Sequence, residues 1–203
     1  MELEPLSLRL LGCLIEKQMT TPEYYPMTVN SLTAASNQKT NRNPVVEYTE
    51  AEVLDGINRL RDLGLVRAVR SPGGRAAKYK HALDDVLEID GEQASLLAVL
   101  MLRGEQTPGE LRLRTERYHD FTSVDEIEEV LSGLEHRDSP LAERLERRPG
   151  EKEARYHQLL GGQAGPVPEP AAKRPEPPAG ELEELWIRLR DLEDRVSNLE
   201  DLA

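Results

Sequence analysis

The chain has 203 residues, 38% of them hydrophobic and 4% aromatic, with a formal net charge of −12. That leaves room for one or two small domains with cores of Leu, Val, Ile and Ala rather than aromatic anchors, and it excludes a protein that coats nucleic acid by overall attraction. The single cysteine, Cys13, excludes an intramolecular disulfide. No stretch approaches the roughly 18 apolar residues of a membrane span, and the acidic start MELEP is no signal peptide. The expectation is a soluble, cytoplasmic protein without a membrane partner.

Leu6, Leu10, Leu11, Leu14 and Ile15 recur at helical spacing and predict a first helix ending near Met19, with Cys13 on its apolar stripe as a buried thiol. Pro22 and Pro26 interrupt the backbone, and Thr28 is placed to cap a short second helix through Val29, Leu32 and Ala35. A polar loop, Asn37–Tyr48, follows, with Pro44 keeping Asn43 out of helical geometry. Thr49 and Glu52 have the spacing of a capping box. They open a third helix whose expected buried stripe is Val53, Leu54, Ile57, Leu60 and Leu63, with Gly64 as its stop. Leu65–Val69 and Ala77–His81 alternate as two strands about Ser71-Pro72-Gly73-Gly74. Helix, helix, strand, turn, strand is the order of a winged helix.

The order then recurs. Asp90–Gln93 caps an apolar helix over 94–103, and Thr107 with Pro108 opens a short helix as Thr28 does. Ser123–Glu126 repeats the capping box, and Ile127, Leu131 and Leu134 repeat Val53, Ile57 and Leu60 at an offset of 74. Leu141–Arg147 and Lys152–Gln158 about Pro149-Gly150 give a second wing, in which Arg155-Tyr156-His157 echoes Lys78-Tyr79-Lys80 at an offset of 77. The predicted class is mainly α with small β wings (α+β): tandem winged helix-turn-helix domains over 1–88 and 89–160.

Residues 161–180, rich in Pro, Gly and Ala, read as a semi-extended linker to a helix over 181–203. There Leu182, Leu185, Leu189, Leu192, Val196 and Leu199 form an a/d heptad seam. Arg188 and Arg195 then fall at g, and Glu193 and Glu200 at e, which suits a parallel homodimer. Docking of this helix on its own chain remains the alternative.

Tyr25-Pro26-Met27-Thr28-Val29-Asn30-Ser31-Leu32, then Asn37-Gln38-Lys39-Thr40-Asn41-Arg42-Asn43-Pro44-Val45, then Arg103-Gly104-Glu105-Gln106-Thr107-Pro108-Gly109-Glu110-Leu111, together resemble the bacterial YceH family. The resemblance covers residues 5–160. It departs at Asn43, where an acidic residue is common. It implies a tandem winged-helix fold with a terminal coiled-coil helix, and no particular activity.

Chemistry has to be sought in the charge pattern. Residues 1–90 carry 11 basic and 13 acidic side chains, whereas the stretch 66–83 carries Arg67, Arg70, Arg75, Lys78 and Lys80 and no acid. The loop 37–43 adds Asn37, Gln38, Lys39, Asn41 and Arg42, side chains able to donate to base edges and phosphates. The competing explanation is that the loop amides cap helices and its Arg pairs with a Glu. Against insertion of the third helix into a major groove stand Glu50, Glu52 and Asp55, and in the second copy Asp125, Glu126, Glu128 and Glu129. These acids also suit the positive helix N-terminus. His81, His119, His136 and His157 lack metal-ligand spacing, and no nucleophile-elbow or phosphate-loop motif occurs. No catalytic residue, metal or cofactor is therefore expected. The expected function is non-enzymatic: a transcription-regulator-like dimer on double-stranded DNA, contacting it through loop 37–43 and wing 66–80. The alternative is an interaction scaffold, whose acidic faces meet a protein partner without direct DNA binding.

Overall fold

The structure, a computed structural model, describes residues 2–69 and 76–162. Helix α1 spans Pro5–Thr20 and is followed by a 3-10 turn, Pro22–Tyr24. Helices α2 (Val29–Ser36) and α3 (Glu50–Asp62) and strands β1 (Val66–Val69) and β2 (Lys78–His81) complete the first half. A short helix, α4 (Leu83–Leu87), leads into α5 (Gly91–Arg103), α6 (Pro108–Thr115), α7 (Val124–Glu135), β3 (Ala142–Arg144) and β4 (Tyr156–Gln158). The described residues thus hold seven α-helices and two antiparallel hairpins, an α+β winged-helix arrangement present twice. The predicted coiled-coil residues, Leu182, Leu185, Leu189, Leu192, Val196 and Leu199, lie outside the described residues, as does nearly all of the linker.

The repeat extends to single backbone bonds. In the first half Met27 pairs with Tyr79 through reciprocal bonds of 3.0 and 2.7 Å; in the second Gln106 pairs with Tyr156 at 3.1 and 2.8 Å. Both tyrosines are buried and tie the wing to the residues just before the second helix of their half.

Local signals account for most helix starts. The hydroxyl of Thr28 accepts from the Ser31 amide. Full capping boxes form at Thr49/Glu52, Asp90/Gln93 and Thr107/Glu110. Ser123 differs: its hydroxyl accepts from the Glu126 amide, but the Glu126 carboxylate reaches past it to the amide and hydroxyl of Thr122, at 2.7 and 2.8 Å. A second hydroxyl one residue upstream outcompetes the lone backbone amide of Ser123. Leu54 and Leu63, expected on the buried stripe of α3, are exposed, because the face packed on α1 is made up of Val53, Ile57 and Leu60. Two elements also depart from expectation in extent. Helix α4 has no counterpart in the sequence reading, and the second wing is shorter than 141–147 and 152–158 implied.

Helix α5 occupies the centre. Nine consecutive residues, Ala94–Leu102, are buried, so no face is left for solvent. One side joins a core with Leu10, Leu11, Leu14, Val53, Ile57 and Leu60 of the first half. The other packs with Leu111, Phe121, Ile127, Leu131 and Tyr156 of the second. The α1–α5 contact is the most extensive between helices, and it is close because Gly12 faces Leu102: a Cβ there would lie 2.8 Å from the Leu102 Cγ and 3.3 Å from the Met101 Cβ. The ends of the described chain also meet, the Leu3 amide donating to the Leu160 carbonyl at 2.7 Å. Gly12→Leu is expected to force α1 off α5 and lower the unfolding free energy by about 1–3 kcal/mol, the range for overpacking a tight core. Urea titration of the full chain measures it, and an unchanged midpoint would show that the two helices can separate freely.

Candidate functional site

Three surfaces carry the residues singled out from sequence: the first wing, the α2–α3 loop and the outer face of α3.

In the wing, strand alternation turns Tyr79 and His81 inward and Lys78 and Lys80 outward. Arg67 lies directly across from Lys80, and Val69 from Lys78. Arg67 meets Asp85 at 2.9 Å; Lys78 and Lys80 make no ion pair among the described residues. The second wing is mixed: Arg144, Arg147 and Lys152 also make no ion pair among the described residues. Arg155, the counterpart of Lys78, donates to Glu110 at 2.8 Å and to Glu151 at 3.2 Å, and Arg148 pairs with Glu105. Arg70 and Arg75 lie outside the described residues. Beneath the outward cations, His81 is buried with neither ring nitrogen hydrogen-bonded, and burial, only partly offset by Asp84 at 3.6 Å, lowers its pKa.

The loop is ordered by its own contacts and turns one side chain, Arg42, into the interior; of the two readings given for it, phosphate contact and an ion pair with a Glu, the structure has the second. The Arg42 side chain is 0% exposed. Its Nη1 and Nη2 donate to the two oxygens of Glu16 at 3.1 and 2.6 Å, and its Nε and Nη2 donate to the Ala35 carbonyl at 3.2 and 3.0 Å. Nη2 also donates to Gln38 Oε1 at 3.0 Å. A guanidinium so committed cannot reach a phosphate. Burial works against both charges of the pair, but their mutual hydrogen bonds outweigh it, holding Glu16 below the usual carboxylate range and Arg42 above its ordinary value. Asn37 is committed too: its Nδ2 donates to the Tyr48 carbonyl and its Oδ1 accepts from the Tyr48 amide, both at 2.8 Å. Asn41, at φ +61°, accepts from Arg103, and the Asn43 amide donates to the Leu102 carbonyl at 2.8 Å. Of the predicted loop donors, Lys39 alone is exposed and without a partner among the described residues.

Two of the four acids of α3 have partners, whereas Asp55 and Asp62 make no ion pair among the described residues. Glu52 belongs to the capping box, Glu50 accepts from Asn30 Nδ2 at 2.8 Å, and Arg59 pairs with Glu4.

A fourth surface was not legible in the sequence. The end of α1, the start of the α2–α3 loop, the last residue of α5 and the end of α6 enclose a cleft of about 480 Å³. Lys17, Lys39, Arg103, Arg114 and Arg117 line it against two carboxylates, Glu16 and Glu116. Glu16 lies at the centre of a network, accepting from Arg42 and from Tyr118 Oη at 3.0 Å, with Lys17 Nζ at 3.3 Å. One signal was available: Arg9, Cys13 and Glu16 recur at helical spacing beside the leucine stripe of α1, and all three are buried. Nothing local, however, says that Arg103, Arg114 and Arg117 converge on Lys17 and Lys39.

His119, Glu92 and Glu126 come together with donor atoms within 4.8 Å of one another. Glu126 is already engaged by Thr122, and Glu92 lies 3.6 Å from His119; the group reads as helix capping with an ion pair.

The fold defines a tandem winged-helix protein. Residues 3–151 match the family described as "Protein of unknown function, DUF480", and the chain belongs to that family. A "UPF0502 protein" of Geotalea uraniireducens (strain Rf4) is 45% identical over 199 residues, covering 98% of this chain and 90% of the relative. Another from Paraburkholderia phymatum is 44% identical over 203 residues, covering 99% and 86%, and one from Dechloromonas aromatica is 43% identical over 204 residues, covering 99% and 94%.

Removing one partner of a buried ion pair leaves the other charged and unpaired. Arg42→Met is therefore expected to cost about 3–5 kcal/mol of stability, read by urea titration; a variant as stable as the parent would return Arg42 to the surface. Acid should act in two windows. The folded pKa of His81 lies below its ordinary 6.5 and that of Glu16 below its ordinary 4.5, so each contributes stability that is complete above the ordinary value and lost as pH falls through the folded one. Thermal unfolding from pH 8 to pH 3 is expected to show a first decline below about 6.5, absent in His81→Leu, and a second below about 4.5.

Proposed function

We propose that this protein is a non-enzymatic, transcription-regulator-like DNA-binding module that holds the phosphates of double-stranded DNA with the outer face of its first wing. The observation that carries this is the juxtaposition of Arg67, Lys80 and Lys78 on one face of the β1–β2 hairpin. Like charges directly opposite one another destabilise a sheet. In the second wing Arg148 and Arg155 pair with Glu105, Glu110 and Glu151, while Arg144, Arg147 and Lys152 make no ion pair among the described residues; in the first wing Lys78 and Lys80 make none either, as suits a surface completed by an anionic partner. Lys39 is the remaining exposed cation of the loop. Helix α3, with Glu50, Glu52 and Asp55 toward its N-terminus, is a poor reader of bases, so contact through the wing implies affinity dominated by phosphates and little sequence discrimination. Pairing of two chains through the heptad seam of residues 182–199 would put two wings on one duplex and raise their effective concentration. The protein-scaffold reading keeps one specific support: Asp125, Glu128 and Glu129 of α7 are exposed and make no ion pair among the described residues, a surface suited to a basic protein partner.

Fluorescence anisotropy on a random-sequence duplex across a salt series tests the proposal. Binding should weaken steeply with salt, and Lys78→Ala/Lys80→Ala should flatten the log–log slope by about 0.9 per phosphate contact removed. No binding at low salt, or a slope that the double variant leaves unchanged, would overturn it.

A further inference from the structure

The cleft between the two halves has a different character from the wing. It is recessed, its sides come from both halves, and its volume of about 480 Å³ falls within the roughly 300–1,000 Å³ of small-molecule sites. A duplex cannot enter such a space.

From its charge, size and lining we infer that the cleft binds a phosphorylated organic anion of nucleotide size, and that the occupant bridges the two winged-helix units. Lys17, Lys39, Arg103, Arg114 and Arg117 converge there on a chain whose net charge is −12. The two bonds from the buried Arg42 neutralise Glu16, leaving Glu116 at the rim as the one uncompensated carboxylate of the lining. The cations are poorly satisfied by the protein itself. Lys39 and Arg117 have no partner among the described residues, and the ion pair of Arg114, with Glu110, is long at 3.7 Å. Burial and the neighbouring guanidinium of Arg114 lower the pKa of Arg103, a cost that a bound phosphate would relieve.

The rest of the lining suits the organic part of such a ligand. Hydroxyls of Thr20, Thr21 and Thr40 and amides of Gln38 and Asn41 offer donors and acceptors for a sugar. Leu113 also lines the cleft and is 71% exposed, an apolar surface beside the cations on which a base or other flat group can rest. The floor is preorganised: Arg42, Tyr118 and Lys17 all bear on Glu16, and Arg103 bears on Asn41, so both sides are positioned without the ligand. Lys17, Lys39, Gln38 and Asn41 come from the first half, and Arg103, Arg114 and Arg117 from the second. An occupant therefore holds the α2–α3 loop against the end of α6. This inference does not rest on DNA binding by the wing.

Isothermal titration of the full chain with adenosine diphosphate and with guanosine diphosphate is the test, alongside adenosine, inorganic pyrophosphate and a single-stranded oligonucleotide lacking terminal phosphate. The expected result is one nucleotide per chain, no heat from adenosine, and weaker binding of pyrophosphate. Lys39→Ala/Arg117→Ala alters two exposed side chains and should leave thermal unfolding of the free protein unchanged while weakening the nucleotide by about tenfold or more. Lys78→Ala/Lys80→Ala on the wing should bind it as the parent does. No heat from either nucleotide, or equal affinity in the cleft variant, overturns the inference. Pyrophosphate binding as tightly as the nucleotides removes the organic part of the ligand, and an oligonucleotide that binds as tightly makes the cleft a phosphodiester groove; either outcome also overturns it. The titration contains no duplex, so its failure leaves the wing proposal standing, and failure of the wing proposal leaves the cleft standing.

Discussion

Everything in this chain turns on the burial of α5. A helix with nine consecutive buried residues has no solvent face to offer and must be covered on opposite sides at once. The first half supplies one cover, chiefly α1 with α3 behind it, and the second half supplies the other with α6 and α7. A helix that opens the second copy of a repeat therefore completes the core of the first. Gly12 makes this possible, since a side chain at that position would meet Leu102 before the helices reached packing distance. Duplicated winged helices joined by a flexible connection would have left the apolar back of α5 in water, at a cost of about 25 cal/mol for each Å² exposed.

That packing fixes the course of the α2–α3 loop. The loop crosses the seam, where the Asn43 amide meets the Leu102 carbonyl and Asn41 meets Arg103, and its other side is held by Arg9, whose guanidinium donates to the carbonyls of Ser36 and Pro44. The Glu16–Arg42 pair sits under this crossing. A buried pair of this kind contributes less to net stability than its geometry suggests, because both ions lose water. Its better-supported role is to define position: Arg42 has the geometry to satisfy Glu16 and the Ala35 carbonyl together in one conformation of the loop, and that conformation presents Lys39 to the cleft.

The sequence carried the elements well and their partners poorly. Caps at Thr28, Thr49, Asp90 and Thr107 were legible because each is a contact between residues three apart. The leucine stripes and the Tyr79/Tyr156 correspondence were legible because periodicity and repetition survive in one dimension. Arg42 was left between two readings, a phosphate contact and an ion pair with a Glu, for the opposite reason. A donor-rich polar loop looks the same whether it faces a phosphate or a carboxylate 26 residues away, and nothing within the loop reveals that Glu16 turns inward from α1. The cleft was invisible on the same ground, since Lys17 and Arg117 become neighbours through the α1–α5 contact alone. Helix α4 escaped because its few apolar residues, Leu83, Val86 and Leu87, fit a strand end as easily as a turn of helix.

Charge on this protein is best understood by asking which groups the fold has already used. Taken as a list, the acids of α3 and the overall charge of −12 argue against any polyanion as a partner. Placed in the structure, Glu50 and Glu52 are tied into helix starts, Glu16 is cancelled by Arg42, and Glu105, Glu110 and Glu151 pair with Arg148 and Arg155 of the second wing. Among the groups the fold leaves unpaired are cations, Lys78 and Lys80 on the first wing and Lys39 and Arg117 at the cleft, as well as acids such as Asp125, Glu128 and Glu129 of α7. A screened surface field depends on the charges within about 8 Å at physiological ionic strength, so these local remainders, and not the sum over the chain, decide what an anion meets. Such attraction is short in range, so the wing and the cleft present separate local fields on a chain whose net charge is −12.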